Sequence, residues 1–378
     1  MAANLLASIL HISDPHLGED FDYPARLLQQ LTGKANRPVT PKRLRHAVNK
    51  TNAARWLQLQ SGPVLALPHD QTVLRAVFRG IAGAQLKLID RYDKFAGFDL
   101  VVVSGDILTE PYSVSSYDTF AYGWLTGSLT DGYGNPIGLN LPTDRIVAIA
   151  GNHDRLHQAD DGIYSQSRIA NQLPARRWPI DKGQPKLPSY CTQFTTPSGT
   201  HLHFIGVDSN QYGDKSTLAR GDISDAHIDA IVNHATHVVK SGDLLVVALH
   251  HPPYELTLKE HGFQNVVGSA LRIAAWDMQL RNAKSFCDKV GPIANLVLYG
   301  HLHFFEFWQN VVGSGAVFAQ APTTVEIGDK EQGFNIYLLF QEPSGEIGID
   351  VWPYLYDEDS TSFQRVHAYQ QKPIQRQP

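Results

Sequence analysis

The sequence predicts an α/β fold built around a mostly parallel sheet, and two observations carry that prediction. Five short runs of β-branched and aliphatic residues are bounded by turn residues, with helical patterns between several of them. Each run gives way at its C-terminal end to Asp, Asn or His. Strands of a parallel sheet are buried on both faces and therefore read as continuous apolar runs. Ligands of such sheets bind beyond the carboxyl ends of the strands.

Residues 5–13 are the first predicted strand, followed by Asp14-Pro15-His16. Residues 19–96 are longer than one crossover helix needs and read as an insertion, with helical spacing of apolar positions over 74–95. The second strand, 100–105, runs into Asp106. Residues 110–145, rich in Gly, Tyr, Ser and Asp, form a second insertion. Strand 146–151 leads into Asn152-His153-Asp154. His201-Leu202-His203 opens a strand that continues to Val207, and a helix follows over 225–239. Strand 244–249 ends in His250-His251-Pro252-Pro253, and 296–299 in Gly300-His301-Leu302-His303. Beyond 303, the spaced runs 316–320, 323–327, 334–340 and 347–352 predict antiparallel strands that finish a sheet. Residues 370–378, polar and proline-bearing, read as a flexible tail, leaving 1–369 as a single domain.

Bulk properties narrow the function. The 378 residues are 43% hydrophobic and 18% charged, an ordinary globular composition. A chain of this size buries a large core without staples. The net charge of −5 comes from intermixed acids and bases with no Lys/Arg-rich tract, which argues against a standing nucleic-acid or polybasic membrane site. Cys191 and Cys287 lack CxxC spacing and suit a reducing compartment. The apolar start has no positive n-region and flows straight into the first strand, unlike a signal peptide. No apolar stretch reaches bilayer-spanning length. The expected setting is the cytoplasm, and the expected partner a small molecule.

Seventeen histidines make placement more informative than number. The strand-end groups are Asp14, His16, Asp106, Asn152, His153, His250, His251, His301 and His303. Oxygen donors mixed with imidazoles suit Mn, Fe or Zn better than Cu(I). On extended backbone, Asp14/His16 and His301/His303 would each place both side chains on one side, because strands alternate with period two. A carboxylate such as Asp106 can bridge two cations, and paired metals about 3.5–4 Å apart clamp the attacking and leaving oxygens at phosphorus. Taken singly, Gly-Asp after a strand is an ordinary turn and Asn152 an ordinary helix cap. Five such blocks, each after a strand, are not.

The other histidines read as non-ligands. His201 and His203 begin a strand instead of ending one, and His234 and His237 share a solvated helix face. His11 lies inside the first strand, and His69, His157, His227 and His261 fall in connections or helices. Tyr112, Tyr117, Phe120, Tyr122, Trp124 and Tyr133 read as packing of the second insertion against the body, ahead of base stacking. Arg155 and Arg272 read as surface arginines ahead of phosphate contacts.

The ordered blocks D-x-H, G-D, G-N-H-D, H-H-P-P and G-H-L-H resemble those of the calcineurin-like metallophosphoesterase superfamily, and most closely its bacterial class III cyclic-nucleotide and glycerophosphodiester phosphodiesterases. The resemblance runs from Leu10 to about Phe304. It implies a two-sheet β-sandwich flanked by helices, with two metal ions (Mn, Fe or Zn) at the strand ends. Asp14, His16 and His303 would hold one ion; Asn152, His250 and His301 the other; Asp106 would bridge them. His153 would face the substrate and steady phosphoryl oxygens or protonate the leaving group, oriented by Asp154. The implied reaction is phosphodiester hydrolysis by a metal-bridging hydroxide attacking in line. The alternatives are a phosphomonoesterase or phosphoprotein phosphatase on the same metals, a nuclease, and a non-catalytic scaffold of the same fold. The long first insertion departs from the phosphodiesterase branch and bears on the substrate more than on the chemistry.

Overall fold

A computed structural model describes residues 4–17, 68–108, 121–130, 133–154, 173–174, 178–180, 189–210, 220–254, 280–310, 315–324, 332–366 and 374–376. Two sheets pack face to face. The first has the order β15-β14-β13-β1-β2-β3. Its members are β1 (Asn4–Ile12), β2 (Leu100–Val103), β3 (Ile146–Ala148), β13 (Gly333–Gln341), β14 (Ile347–Asp357) and β15 (Ser362–Arg365). The second has the order β16-β11-β12-β10-β8-β6-β5-β4. It comprises β4 (Trp178–Pro179), β5 (Tyr190–Thr195), β6 (His201–Gly206), β8 (Leu244–Ala248), β10 (Leu296–Tyr299), β11 (Glu306–Asn310), β12 (Val317–Gln320) and β16 (Ile374–Arg376). β7 (Gly221–Asp222) and β9 (Leu280–Arg281) form a small separate pair.

The apolar runs are continuous because alternate residues serve different cores. Leu100 and Val102 face the second sheet, packing with Ile9, Val147, Phe204, Val246 and Leu298. Val101 and Val103 face the other way, onto helix α1 (Pro68–Arg91) through Val73, Leu74, Val77 and Leu88. On the far side of the second sheet, Leu245, Val247 and Val297 pack against α2 (Asp225–Val238) and α3 (Ala283–Val290) through Ile228, Ile231, Phe286 and Val290. The layers are helix, sheet, sheet, helix, as the family resemblance implies. Burying each such side chain contributes about 1.5–3 kcal/mol, so neither sheet face is free to turn to water.

Register aligns the strand ends. β1, β2 and β3 are parallel, with Ile12 opposite Val103 and Val103 opposite Ala148. In the second sheet β6, β8, β10 and β12 are parallel, with Leu298 between Ala248 and Ala319. All five motif blocks therefore leave the sandwich at one edge. His203, paired with Leu245 at the start of β8, lies at the opposite end and contacts Asp243 at 3.0 Å.

Several expectations are corrected. The helix of the first insertion begins at Pro68, not 74, since proline is at home in a first helical turn. The C-terminal strands do not finish one sheet: β12 pairs parallel with β10, while β13 and β14 are antiparallel strands of the other sheet. The run 323–327 is not a strand at its start. Thr323 makes only isolated bridges, its hydroxyl being engaged elsewhere, and 325–331 lie outside the described residues. Within the expected tail, β16 adds to β11 in parallel. Cys191 and Cys287 are both buried. Of the second insertion's aromatics, Trp124 is in the core, whereas Tyr133 is 89% exposed; Tyr112, Tyr117 and Phe120 lie outside the described residues. Among the described residues no helix is long and apolar enough to cross a membrane.

Candidate metal centre

The two D-x-H and H-x-H pairs do not lie on extended backbone. Asp14 (φ 47°), His16 (φ 40°), Asp106 (φ 49°), His301 (φ 77°) and His303 (φ 62°) all occupy the left-handed region. This corrects the period-two argument: each pair converges because the chain curls just past the strand. Asp and His tolerate that region better than most residues, but it still carries strain. The curls are held by named bonds. Thr323 Oγ1 donates to Asp14 O (2.7 Å), Thr324 Oγ1 donates to Ser13 O (2.9 Å), and Asp14 and His16 bond through their N–H groups to Gly105 O and Asp106 O.

Two glycines make the approach possible. Gly105, at φ +101°, would place a Cβ 2.5 Å from His250 Nδ1. A Cβ on Gly300 would overlap Ser13 Oγ and the Asp14 carboxylate. Both positions need a residue without a side chain.

Two ligand groups result, sharing one carboxylate. Asp14, His16, Asp106 and His303 present donor atoms within 4.8 Å of one another, and so do Asp106, His250 and His301. In the first group His303 Nε2 lies 3.1 Å from His16 Nε2 and 3.2 Å from Asp14 Oδ1, and His16 Nε2 is 3.7 Å from Asp106 Oδ2. In the second, His250 Nε2 meets Asp106 Oδ2 (3.2 Å), Asn152 Oδ1 (3.0 Å) and His301 Nδ1 (3.1 Å). One imidazole proton cannot satisfy three such neighbours. Nitrogen and carboxylate donors crowded round a common point, all but Asn152 buried, are a donor set for a cation. The residues fit two ions.

Charge states agree with that reading. Burial opposes ionisation of Asp14, but His303 outweighs it and holds the carboxyl at about 2. Asp106, likewise opposed by burial, is held well below the usual carboxylate range by His250 and His153. Burial pushes His16 and His301 well below the ordinary histidine value, so their lone pairs are available. Burial would lower His250 too, but the Asp106 carboxylate lifts it to about 9. Its Nδ1 is 2.8 Å from Ser104 O, which directs Nε2 at the centre.

His153 differs from the candidate ligands. It is only half-buried, its ring stands edge-on to His16 at 4.9 Å, and its backbone N–H donates to Asp106 Oδ1 (2.8 Å). Asp154 does not orient it. The Asp154 carboxylate accepts from the N–H groups of Ile107 (3.0 Å), Leu108 (3.2 Å) and Gly151 (2.9 Å), pinning the Asp106 loop to the Asn152 loop. Burial and the neighbouring Asp106 raise its pKa to about 7. His251 packs against the His301 ring at 4.7 Å with Nδ1 at 2.7 Å from Ser209 Oγ, beside the centre as expected. His11 is buried in β1, and His227 contacts Ser189 Oγ at 2.7 Å. His157, His261, Arg155 and Arg272 lie outside the described residues.

Sequence reasoning missed Thr323, Thr324, Ser13 and Ser104. The only signal was polarity inside otherwise apolar runs, at His11-Ile12-Ser13 and at Val103-Ser104.

Residues 7–305 match the family model described as calcineurin-like phosphoesterase. The crystal structure of a dimetal phosphatase from Danio rerio aligns with a TM-score of 0.47 over 93% of this chain and 96% of that one, at 10% identity. No curated protein matches the sequence.

Proposed function

The chain belongs to the calcineurin-like phosphoesterases, a metal-dependent class of phosphoester hydrolase, and on that premise we propose that it is a two-metal phosphodiesterase. The observation that carries the reading is Asp106, whose carboxylate belongs to both ligand groups at once. Asp14, His16 and His303 would hold one ion, Asn152, His250 and His301 the other, with Asp106 shared between the two groups. When bound, the ions supply positive charge for the phosphoryl oxygens and lower the pKa of water from about 15.7 to about 7.

The chain's own residues do the rest. The buried carboxylates and imidazoles fix the reacting centre at the strand ends, so positioning is set before substrate arrives. His153, at the less buried side of the centre, stands where it can donate a hydrogen bond to a phosphoryl oxygen or a proton to the departing alkoxide. The chemistry needs no protein nucleophile. Preference for a diester is supported by the wording of the five blocks. The metals are Mn, Fe or Zn from the mixed oxygen and nitrogen donors, the substrate a small phosphoester and the setting the cytoplasm.

The test pairs metal content of the purified protein with Mn²⁺-stimulated hydrolysis of bis-p-nitrophenyl phosphate and p-nitrophenyl phosphate. Close to two ions per chain, with faster turnover of the diester, is the expected result. Faster turnover of the monoester would reassign the enzyme as a monoesterase. No metal uptake after reconstitution would overturn the two-metal reading.

A further inference from the structure

We infer that a one-directional hydrogen-bond wire from Tyr337 through His11, Ser104 and Ser13 positions the Asp14 carboxylate, leaving Asp14 Oδ1 alone for the metal. The inference rests on the two-metal reading above. The wire runs between the sheets, where β1 lies beside β13 with His11 opposite Asn335. His11 Nδ1 is 3.3 Å from the Tyr337 hydroxyl, and His11 Nε2 is 2.8 Å from Ser104 Oγ. Ser104 Oγ donates to Ser13 Oγ (2.7 Å), and Ser13 Oγ donates to Asp14 Oδ2.

Both ends fix the direction of every proton. At the site end, an ionised carboxylate only accepts, so the single Ser13 proton goes to Asp14. Ser13 must then accept from Ser104, and Ser104, its proton spent, must accept from His11 Nε2–H. At the far end, Asn335 Nδ2 donates to the carbonyl of Gln320 (2.9 Å), an acceptor only, and its second proton goes to the Tyr337 oxygen (3.0 Å). Tyr337 is left to donate to His11 Nδ1. Both ends thus demand the same neutral tautomer of His11, with Nε2 protonated and Nδ1 bare. Burial, only partly opposed by Asp14, lowers the His11 pKa to about 3, in keeping with a neutral ring.

Aligned donors polarise one another, so the bond arriving at Asp14 Oδ2 is strengthened by those behind it. Oδ2 also receives His301 N–H at 2.9 Å, which fills it, while Oδ1 faces His303 Nε2 at 3.2 Å. The carboxylate is thereby held in one orientation. Ser104 acts on both ligand groups by different atoms: its carbonyl faces His250 Nδ1, and its hydroxyl reaches Asp14 through Ser13. Removing the hydroxyl alone therefore disturbs one metal site and spares the other.

The test has two arms. In the metal-free wild type labelled with ¹⁵N-imidazole, His11, assigned by its disappearance in His11→Gln, shows a bare Nδ1 and a protonated Nε2. The opposite tautomer overturns the inference, and this readout does not depend on any variant of the wire folding well. In Mn²⁺ titrations, Ser104→Ala weakens the Asp14/His16/His303 site by about 10–100-fold, the usual scale for a lost outer-shell partner. The Asn152/His250/His301 site stays unchanged, and Ser104→Thr, which keeps the hydroxyl, restores binding. The two steps are assigned by comparison with His303→Ala and Asn152→Ala. Equal loss at both sites, or no loss, overturns the wire while leaving two metals in place. Absence of Mn²⁺ uptake by the wild type overturns the two-metal reading, and the wire's purpose with it.

Discussion

Replacing Asp106 by Asn perturbs the centre with almost no change of shape. The amide oxygen can keep the bond from His153 N–H now made by Oδ1 at 2.8 Å. What changes is the atom at Oδ2, 3.2 Å from His250 Nε2 and 3.7 Å from His16 Nε2, which becomes an N–H donor with no charge. Donor atoms in each group lie within 4.8 Å of one another, so a cation among them is nearer than that to the lost charge. At an effective dielectric constant of about 20, a unit charge at that separation contributes about 3.5 kcal/mol, and every 1.4 kcal/mol is tenfold. Affinity should fall by at least about 10²-fold for each ion, because the same carboxylate serves both. The assay is metal content after dialysis together with a Mn²⁺ titration, with circular dichroism to show that the fold survives. Activity should vanish with the metals. Two retained ions and undiminished turnover in Asp106→Asn would refute the bridging assignment.

Three further outcomes follow from the same geometry. His153→Ala should leave metal content nearly intact while cutting turnover by about 10²–10⁴-fold, since His153 lies outside both ligand groups; an emptied centre would make it a ligand instead. Asp154→Ala strips the acceptor from three backbone N–H groups, so chemical denaturation should show a loss of about 3 kcal/mol or more, and a loss below about 1 kcal/mol would mean that the loops hold without it. His250 has its pKa raised to about 9, so the metal-free protein carries that proton at pH 7 and an ion must displace it. Metal affinity should therefore fall by up to about tenfold per unit as the pH drops below 9, with proton release visible by calorimetry in buffers of different ionisation enthalpy. Uptake at pH 7 without proton release would contradict the charge state.

Most of the centre was legible because each block is local. A strand buried on both faces announces itself as an unbroken apolar run, and the ligands follow directly, as Val101-Val102-Val103 leads to Asp106. Strands with mixed character were not legible. β11, Glu306–Asn310, carries three polar residues in five, and β5 alternates buried with exposed positions over its second half. Nor could sequence say which sheet each C-terminal strand joins, because that depends on partners distant in the chain. Asp154 shows the limit best. Its place in Gly151-Asn152-His153-Asp154 suggested a partner for its neighbour, yet its carboxylate reaches back 46 and 47 residues to backbone N–H groups. Thr323 and Thr324 read as β-branched strand formers, but their hydroxyls hold the carbonyls of Asp14 and Ser13.

Those long-range bonds explain how five non-glycine residues can sit at positive φ in one site. A left-handed residue costs of order 1–2 kcal/mol, less for Asp and His than for most. Five together approach 5 kcal/mol, comparable with the whole stability of a small domain. Such strain persists only where the surroundings over-determine it. The surroundings here are protein: the two threonine hydroxyls behind the Asp14 curl, the Asp154 carboxylate behind the Asp106 loop, and glycines at 105 and 300 where a side chain would collide. The donor atoms are thus gathered by the fold itself. Asp14 and Asp106 held ionised against burial by neighbouring imidazoles, and His16 and His301 held neutral by burial, complete a site whose ordering cost is met on folding. The free energy of ion binding can then go into holding charge where the phosphoryl oxygens arrive.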